Sequence, residues 1–232
     1  MKTLFLIPAR GGSKGIPEKN IRLFAGKPLI LHTLELARQF ADDKDICIST
    51  DDQKIADTVA QAGYKIPFLR PASLASDTSG MHEVMLHALD FYAQRGQHFD
   101  NLVLLQPTSP FRQTSHLKEA LNIWSEETDM IVSVKMTEAN PYYVLFEENE
   151  AGFLRKSKEA LFERRQDCPN VWQLNGAIYI IQTKSLRNSK MADFKKIKKF
   201  EMDALHSLDL DTELDWLIAE TINQKYHIIT PE

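Results

Sequence analysis

Arg10, Lys14 and Lys19 place three cations on or beside one glycine loop, Gly11-Gly12-Ser13-Lys14-Gly15. The loop leaves directly from an apolar run, Leu4-Phe5-Leu6-Ile7-Pro8-Ala9, which reads as a buried strand. Glycine has no Cβ and lets a ligand come close to the backbone. Exposed N–H groups beside fixed positive charge make a cradle for phosphates. The spacing excludes two common nucleotide loops. No second glycine is followed by Lys-Ser/Thr, and no Gly-x-Gly-x-x-Gly occurs.

A second candidate lies near the far end of the chain, in Leu208-Asp209-Leu210-Asp211-Thr212-Glu213. In an extended segment, residues two apart point to the same side. That puts the Asp209 and Asp211 carboxylates about 6–7 Å apart along the chain. Two hard oxygen ligands at this spacing suit Mg²⁺ bridging to phosphate oxygens. Asp211 could also cap the helix that Asp211-Thr212-Glu213 opens, and the two uses are compatible.

Three further stretches carry polar groups. Leu69-Arg70-Pro71-Ala72-Ser73-Leu74-Ala75-Ser76-Asp77-Thr78 reads, on its residues alone, as an ordinary capped loop. Leu105-Gln106-Pro107-Thr108-Ser109-Pro110-Phe111-Arg112 is stiffened by two prolines; Gln106 offers both a donor and an acceptor. Arg112 either binds a ligand or holds this loop. Asn175-Gly176-Ala177-Ile178-Tyr179 opens a strand whose tyrosine belongs either to the core or to a site. The histidines form no set: His82 and His87 are five apart, off any shared helical face, and no Ser-His-Asp arrangement can be inferred.

The elements that must position these groups alternate. Leu4–Ile7, Ile46–Ser49, Leu102–Leu105, Met130–Val134 and Ala177–Ile181 read as strands. Helical spacing recurs in Ile30, Leu34, Ala37 and Phe40, and in Ile55, Val59 and Ala62, which ends at Gly63. A third helix runs through Val84, Leu86, Leu89 and Phe91 and breaks near Gly96. A fourth is capped by Thr114 or Ser115 and runs to about Glu127; the last passes through Leu214, Leu217, Ile218 and Ile222. Such alternation implies βαβ units and a mainly parallel sheet, with ligands at the carboxyl ends of its strands. Glu138 to about Trp172 departs from the pattern, being polar and weakly periodic, and a loop of that length is uncommon unless functional.

Composition narrows the classes. A chain of 232 residues with 43% hydrophobic content can bury one substantial core, so one α/β domain over 1–232 is the simplest organisation. Net charge is −4, and the densest basic run, Lys195-Lys196-Ile197-Lys198-Lys199, reads as a solvated face and not as a nucleic-acid footprint. Cys47 and Cys168 have no neighbours at metal-ligand spacing. No signal peptide precedes Met1, and no apolar run approaches the ~18 residues of a membrane span, so the expectation is a cytoplasmic protein.

The stretch from Ile7 to Asn20, with Gly15-Ile16-Pro17-Glu18-Lys19-Asn20 completing the loop, resembles the N-terminal signature of the acylneuraminate cytidylyltransferases (CMP-sialic acid or CMP-nonulosonate synthetases). The other three motifs follow in family order, and the likeness runs to about Leu217. It implies a Rossmann-like nucleotidyltransferase fold, flanked by helices, with a dimerisation insert at about 138–172. It implies transfer of CMP from CTP to the anomeric hydroxyl of a nine-carbon 2-keto acid sugar, with Mg²⁺ as cofactor, a homodimer as the assembly, and no nucleic-acid or membrane partner. By the same resemblance Arg10, Gly11, Gly12, Ser13, Lys14, Lys19, Asn20, Arg70 and Ser79 bind the nucleotide. Gln106, Arg165, Asn175, Tyr179 and Tyr143 serve the sugar, and Asp209 and Asp211 hold the metal. Arg10, Lys19 and Asp211 carry the catalysis, with Asp211 or a metal-bound hydroxide as the base. Arg165 is the residue implied for the sugar carboxylate, beside an adjacent Arg164. Two departures touch the sugar region. Trp172-Gln173-Leu174 stands where bacterial sialic-acid enzymes often carry a basic residue and a proline. Tyr142-Tyr143 follows Asn140-Pro141 where some members place a lysine. Fewer cations and more aromatic surface suit a less polar sugar of the legionaminate type, with N-acetylneuraminate still open.

Overall fold

The computed structural model describes residues 1–75 and 80–229. Along the first strand, β1 (Thr3–Pro8), side chains alternate between two cores: Phe5 and Ile7 pack in one, Leu4 and Leu6 in the other. A strand buried on both faces needs helices on both, and the chain supplies them. After β1 come β2 (Leu23–Phe24), β3 (Lys27–Pro28), α1 (Leu29–Arg38), β4 (Ile46–Ser49), α2 (Gln53–Gln61), α3 (Met81–Ala93), β5 (Asn101–Leu104) and α4 (Thr114–Asn122). The remainder is β6 (Met130–Met136), β7 (Phe146–Glu148), β8 (Leu154–Lys156), β9 (Trp172–Gln182), α5 (Thr183–Asn188), β10 (Ile197–Glu201) and α6 (Glu213–Tyr226). Helices α1, α2 and α4 contribute to the core with Phe5 and Ile7; α3 and α5 contribute to the core with Leu4 and Leu6.

The six-stranded sheet runs β10-β6-β9-β5-β1-β4. Strand β1 is parallel to β4 and β5, and β10 is parallel to β6. Strand β9 runs antiparallel to both neighbours, so the sheet is mainly but not wholly parallel. It also starts at Trp172, five residues before the expected Ala177. The early start includes an irregularity opposite Val132 and Val134 of β6, where Gly176 takes φ +76°, a backbone that suits glycine.

Other expectations shift in detail. The lysine run leads into the edge strand β10, where Lys198 and Lys199 are exposed and discourage strand addition. Helix α4 stops at Asn122 and starts after Gln113, whose N–H donates to His116 Nδ1 at 3.2 Å. The polar stretch from 138 onward holds the hairpin β7–β8 and a short turn at Arg165–Asp167.

A third, smaller core positions the site. Ile16 of the glycine loop, Phe24 of β2, Leu29 of α1, Phe111, Leu210, and Trp216 and Ala219 of α6 pack together. The first and last segments of the chain are thereby fastened to one another.

Candidate active site

The glycine loop follows β1 and lies against the Asp209–Asp211 segment. Lys19 is nearly buried; its Nζ donates to Leu210 O at 2.5 Å and to Asp211 Oδ1 at 3.1 Å. Gly15 is packed so tightly on the same segment that a Cβ there would overlap the Asp211 carbonyl oxygen. Asn20, also buried, donates from Nδ2 to Arg10 O at 3.1 Å and pins the start of the loop. Gly12 and Lys14 are exposed, and Ser13 N–H donates to Gly11 O at 3.0 Å.

Asp209 and Asp211 flank Leu210, which is fully buried and aims their backbone. Helix α6 is capped by Thr212, which accepts from Asp215 N–H at 3.2 Å while Asp215 accepts from Thr212 N–H at 2.7 Å. Asp211 is thus relieved of the capping duty, and its side chain remains 71% exposed. Asp209 sits deeper. Burial raises its carboxyl above the ordinary carboxylate pKa; the nearby Thr108 hydroxyl offsets part of this, and the charge of Asp211 adds to the rise. Its Oδ1 is buried with no hydrogen-bond partner. Among the described residues no group of three or more His, Cys, Asp or Glu converges on one point. A lone buried carboxylate oxygen beside a second, exposed carboxylate fits a hard cation that takes its remaining oxygens from substrate.

Arg70 is nearly buried on the other side of the glycine loop. Its N–H donates to Thr50 O at 2.7 Å, holding its loop to the end of β4. Its Nη2 donates to Asp51 Oδ1 at 3.3 Å, and the same oxygen accepts from Gly11 N–H at 3.2 Å. Asp51 therefore bridges the two loops, a role that sequence reasoning missed. The signal was its position directly after the strand Ile46–Ser49, where ligand-facing residues gather. Ser79 and Asp77 lie outside the described residues.

A cavity of about 430 Å³ opens beside the carboxylates. Gln106, Tyr179, Asp209 and Asp211 line it. The phenol of Tyr179 has its pKa raised by burial and by the charge of Asp209. Gly176 lies under this wall; a Cβ there would stand 3.6 Å from Gln106 Oε1 and 3.7 Å from Asp209 Oδ2. Asn175, expected as a sugar contact, also lines this cavity, with its side-chain amide bonded within the chain. It is 4% exposed, receives the Ser133 hydroxyl on Oδ1 at 2.5 Å and donates from Nδ2 to Ser207 Oγ at 2.9 Å. These internal bonds hold the irregular turn of β9 and occupy both ends of the amide.

Arg112 also points inward. It donates to Ala177 O at 2.6 Å, Gln106 O at 3.2 Å and Thr33 Oγ1 at 3.0 Å, and full burial pushes its pKa down to about 9. It holds the Gln106 loop to β9. Arg165 and Tyr143 are not brought to this cavity within the chain. Arg165 pairs with Glu138 at 3.3 Å and lines a separate cavity of about 360 Å³ at the root of the insert. Tyr143 lies at the start of the insert, half-buried, beside the Tyr142–Phe162 ring pair.

A family profile described as cytidylyltransferase matches residues 4–225. The chain is 35% identical over 226 residues to a CMP-N,N'-diacetyllegionaminic acid synthase of Legionella pneumophila, covering 96% of each. It is 28% identical to a pseudaminic acid cytidylyltransferase of Campylobacter jejuni over 98% of both chains. An N-acylneuraminate cytidylyltransferase of Streptococcus agalactiae is 33% identical, and there the match covers 94% of this chain but 52% of the relative. Among solved structures, a CMP:2-keto-3-deoxy-manno-octonic acid synthetase complexed with CTP superposes with a TM-score of 0.72 at 19% identity, over 97% of this chain and 99% of that one. The shared architecture is the Rossmann-like nucleotidyltransferase fold.

Proposed function

The chain belongs to the cytidylyltransferase family and, we propose, transfers CMP from CTP to the anomeric hydroxyl of a nine-carbon 2-keto acid sugar of the legionaminate or N-acetylneuraminate type, releasing pyrophosphate. The observation that carries the reading is the junction at Lys19, where the glycine loop meets the Asp209–Asp211 pair at the mouth of a cavity.

In the proposed reaction the anomeric oxygen attacks the α-phosphorus of CTP in line. A new oxygen–phosphorus bond forms as the bond to the β-phosphate bridging oxygen breaks. Such a transfer depends mainly on positioning and on neutralising charge. Arg10, Ser13, Lys14 and Lys19, with the loop N–H groups, hold the triphosphate and offset charge developing on pyrophosphate. Arg70 and its loop hold the base, and Asn20 keeps the glycine loop in register. Gln106 and Tyr179 meet the sugar. Asp211 accepts the proton from the anomeric hydroxyl. Asp209 and Asp211 are suited to hold Mg²⁺, which would supply charge neutralisation at the phosphates.

The insert supports a further part of the reading. Arg165 lies outside the cavity of its own chain, and the insert exposes Phe146, Phe153, Leu154 and Leu161. A two-fold homodimer would cover these residues and let Arg165 complete a neighbouring site. Among the described residues no helix is long and apolar enough to cross a membrane. Dependence on CTP suits a cytoplasmic enzyme.

A pyrophosphate-release screen tests the function: CTP against N-acetylneuraminate, legionaminate, pseudaminate and Kdo, with Mg²⁺ present. The expected result is release with a nine-carbon acid and little with Kdo. No release with any CTP–sugar pair overturns the proposal.

A further inference from the structure

The cavity beside the carboxylate pair is acidic. Asp209, Asp211 and Asp215 all line it. A sugar acid entering it brings another negative charge, and like charges at this range repel unless a cation intervenes. Arg165, the residue implied for that task by resemblance, is paired with Glu138 and lines another cavity.

One lysine does line the acidic cavity. Lys135 stands on β6 beside its cross-strand partner Gln173, just past the point where the β6–β9 register shifts. The neighbouring Val134 is buried, and strand alternation turns Lys135 to the opposite face. Among the described residues its ammonium has no hydrogen bond and no ion pair. By contrast Lys19, at the same mouth, is already held by Leu210 O and Asp211. A partly buried wall therefore carries three carboxylates and one uncommitted cation.

We propose that Lys135 is a specificity-determining residue that pairs with the carboxylate of the acceptor sugar and so selects 2-keto acids over neutral sugars. The inference rests on the proposed function and adds a residue that neither the motifs nor the resemblance assigned. A lysine suits the position because its point charge rides on a flexible stem and can follow a carboxylate into the transition state. A carboxylate accepts on both oxygens, so Lys135 from within the chain and Arg165 from a second copy are complementary.

The test compares two acceptors: the sugar acid most active in the screen above, and its C1 methyl ester, which keeps the anomeric hydroxyl and loses the charge. Steady-state KM for each acceptor and for CTP is measured in the unaltered enzyme and in Lys135→Met and Lys135→Arg. Expected for Lys135→Met is a rise of about tenfold in KM for the acid, the scale of one charge-assisted hydrogen bond. The CTP KM should stay within about twofold, since Lys135 meets the sugar and not the nucleotide. Lys135→Arg should recover most of the acid KM. With the ester, the unaltered enzyme and Lys135→Met should behave alike. An unchanged acid KM in Lys135→Met, or equal losses on acid and ester, overturns the assignment while the reaction class stands. An unaltered enzyme inactive on every sugar acid removes both proposals.

Discussion

Lys19 Nζ meets Asp211 Oδ1 at 3.1 Å although 192 positions separate the two residues in the chain. The bond joins the cation-bearing glycine loop to a carboxylate pair from the far end of the chain. Lys19 is held from behind by Leu210 O, so its ammonium keeps one orientation before any ligand arrives. Preorganised charge of this kind is worth more than charge that must be recruited.

The carboxylate pair should be essential to turnover. Asp209→Asn and Asp211→Asn preserve shape while weakening a hard-cation site. At least one should lower kcat by about 10²-fold or more, the scale for loss of one electrostatic or acid–base contributor. CTP binding should persist in part through the glycine loop. Rates near normal in both variants across a Mg²⁺ titration would sink the assignment.

Asp209 should also cost stability when no metal is present. Burial raises its pKa in the folded chain above the unfolded value, so folding favours the protonated acid. The cost is absent below the unfolded pKa and grows as pH rises through the folded one. Asp209→Asn removes it. In EDTA near pH 7 this variant should melt higher than the unaltered chain. The gap should shrink toward pH 4. A gap equal at both ends of that range, or a variant that melts lower, contradicts the prediction.

Asp51 offers a nucleotide-side test. Asp51→Asn keeps an acceptor for Gly11 N–H but loses the charge opposite Arg70. Its CTP KM should rise about three- to tenfold, as expected for one charged hydrogen bond at a partly buried site. Asp51→Ala should do worse, and the sugar KM should hardly move. If neither variant alters the CTP KM, the bridge between the two loops is incidental.

The insert can be tested through assembly. Arg165→Ala should raise the sugar KM steeply, by about tenfold or more for removal of a bidentate carboxylate pairing, with CTP nearly untouched. Tyr143→Lys should shift preference toward N-acetylneuraminate over less polar analogues. Sedimentation or light scattering should give a dimer. A fully active monomer would rule out the shared site, and an unchanged preference in Tyr143→Lys would rule out the tyrosine's part.

How much of this was readable beforehand follows from range. The glycine loop, the Asp209–Asp211 pair and the strands β1, β4 and β6 rest on local spacing, and their positions were legible. The direction of β9 was not, because an apolar run carries no sign of its orientation; pairing with β5 and β6 sets it. Strand β10 was hidden by its lysines, which an edge strand tolerates because one side faces water. Asn175 lines the cavity, as its place before Gly176 suggests, but its internal bonds were not legible. Only the approach of Ser133 and Ser207, 42 and 32 residues distant, revealed that its amide is occupied. Asp51 was passed over for a similar reason: its two partners, Gly11 and Arg70, lie in other loops.

The packing of Gly15 against Asp211 has a consequence for biosynthesis. Because the loop from the first strand is completed by a segment just before the last helix, a growing polypeptide holds half a site for almost its entire synthesis. The ribosome must release the Leu208–Asp211 stretch before Lys19 finds its partners and Ile16 its apolar cover. Contacts of such sequence separation form late and slow folding. A chain truncated before Asp209 would present the glycine loop without its carboxylates, and it would expose Ile16, Phe24 and Phe111 to quality-control machinery that recognises apolar surface.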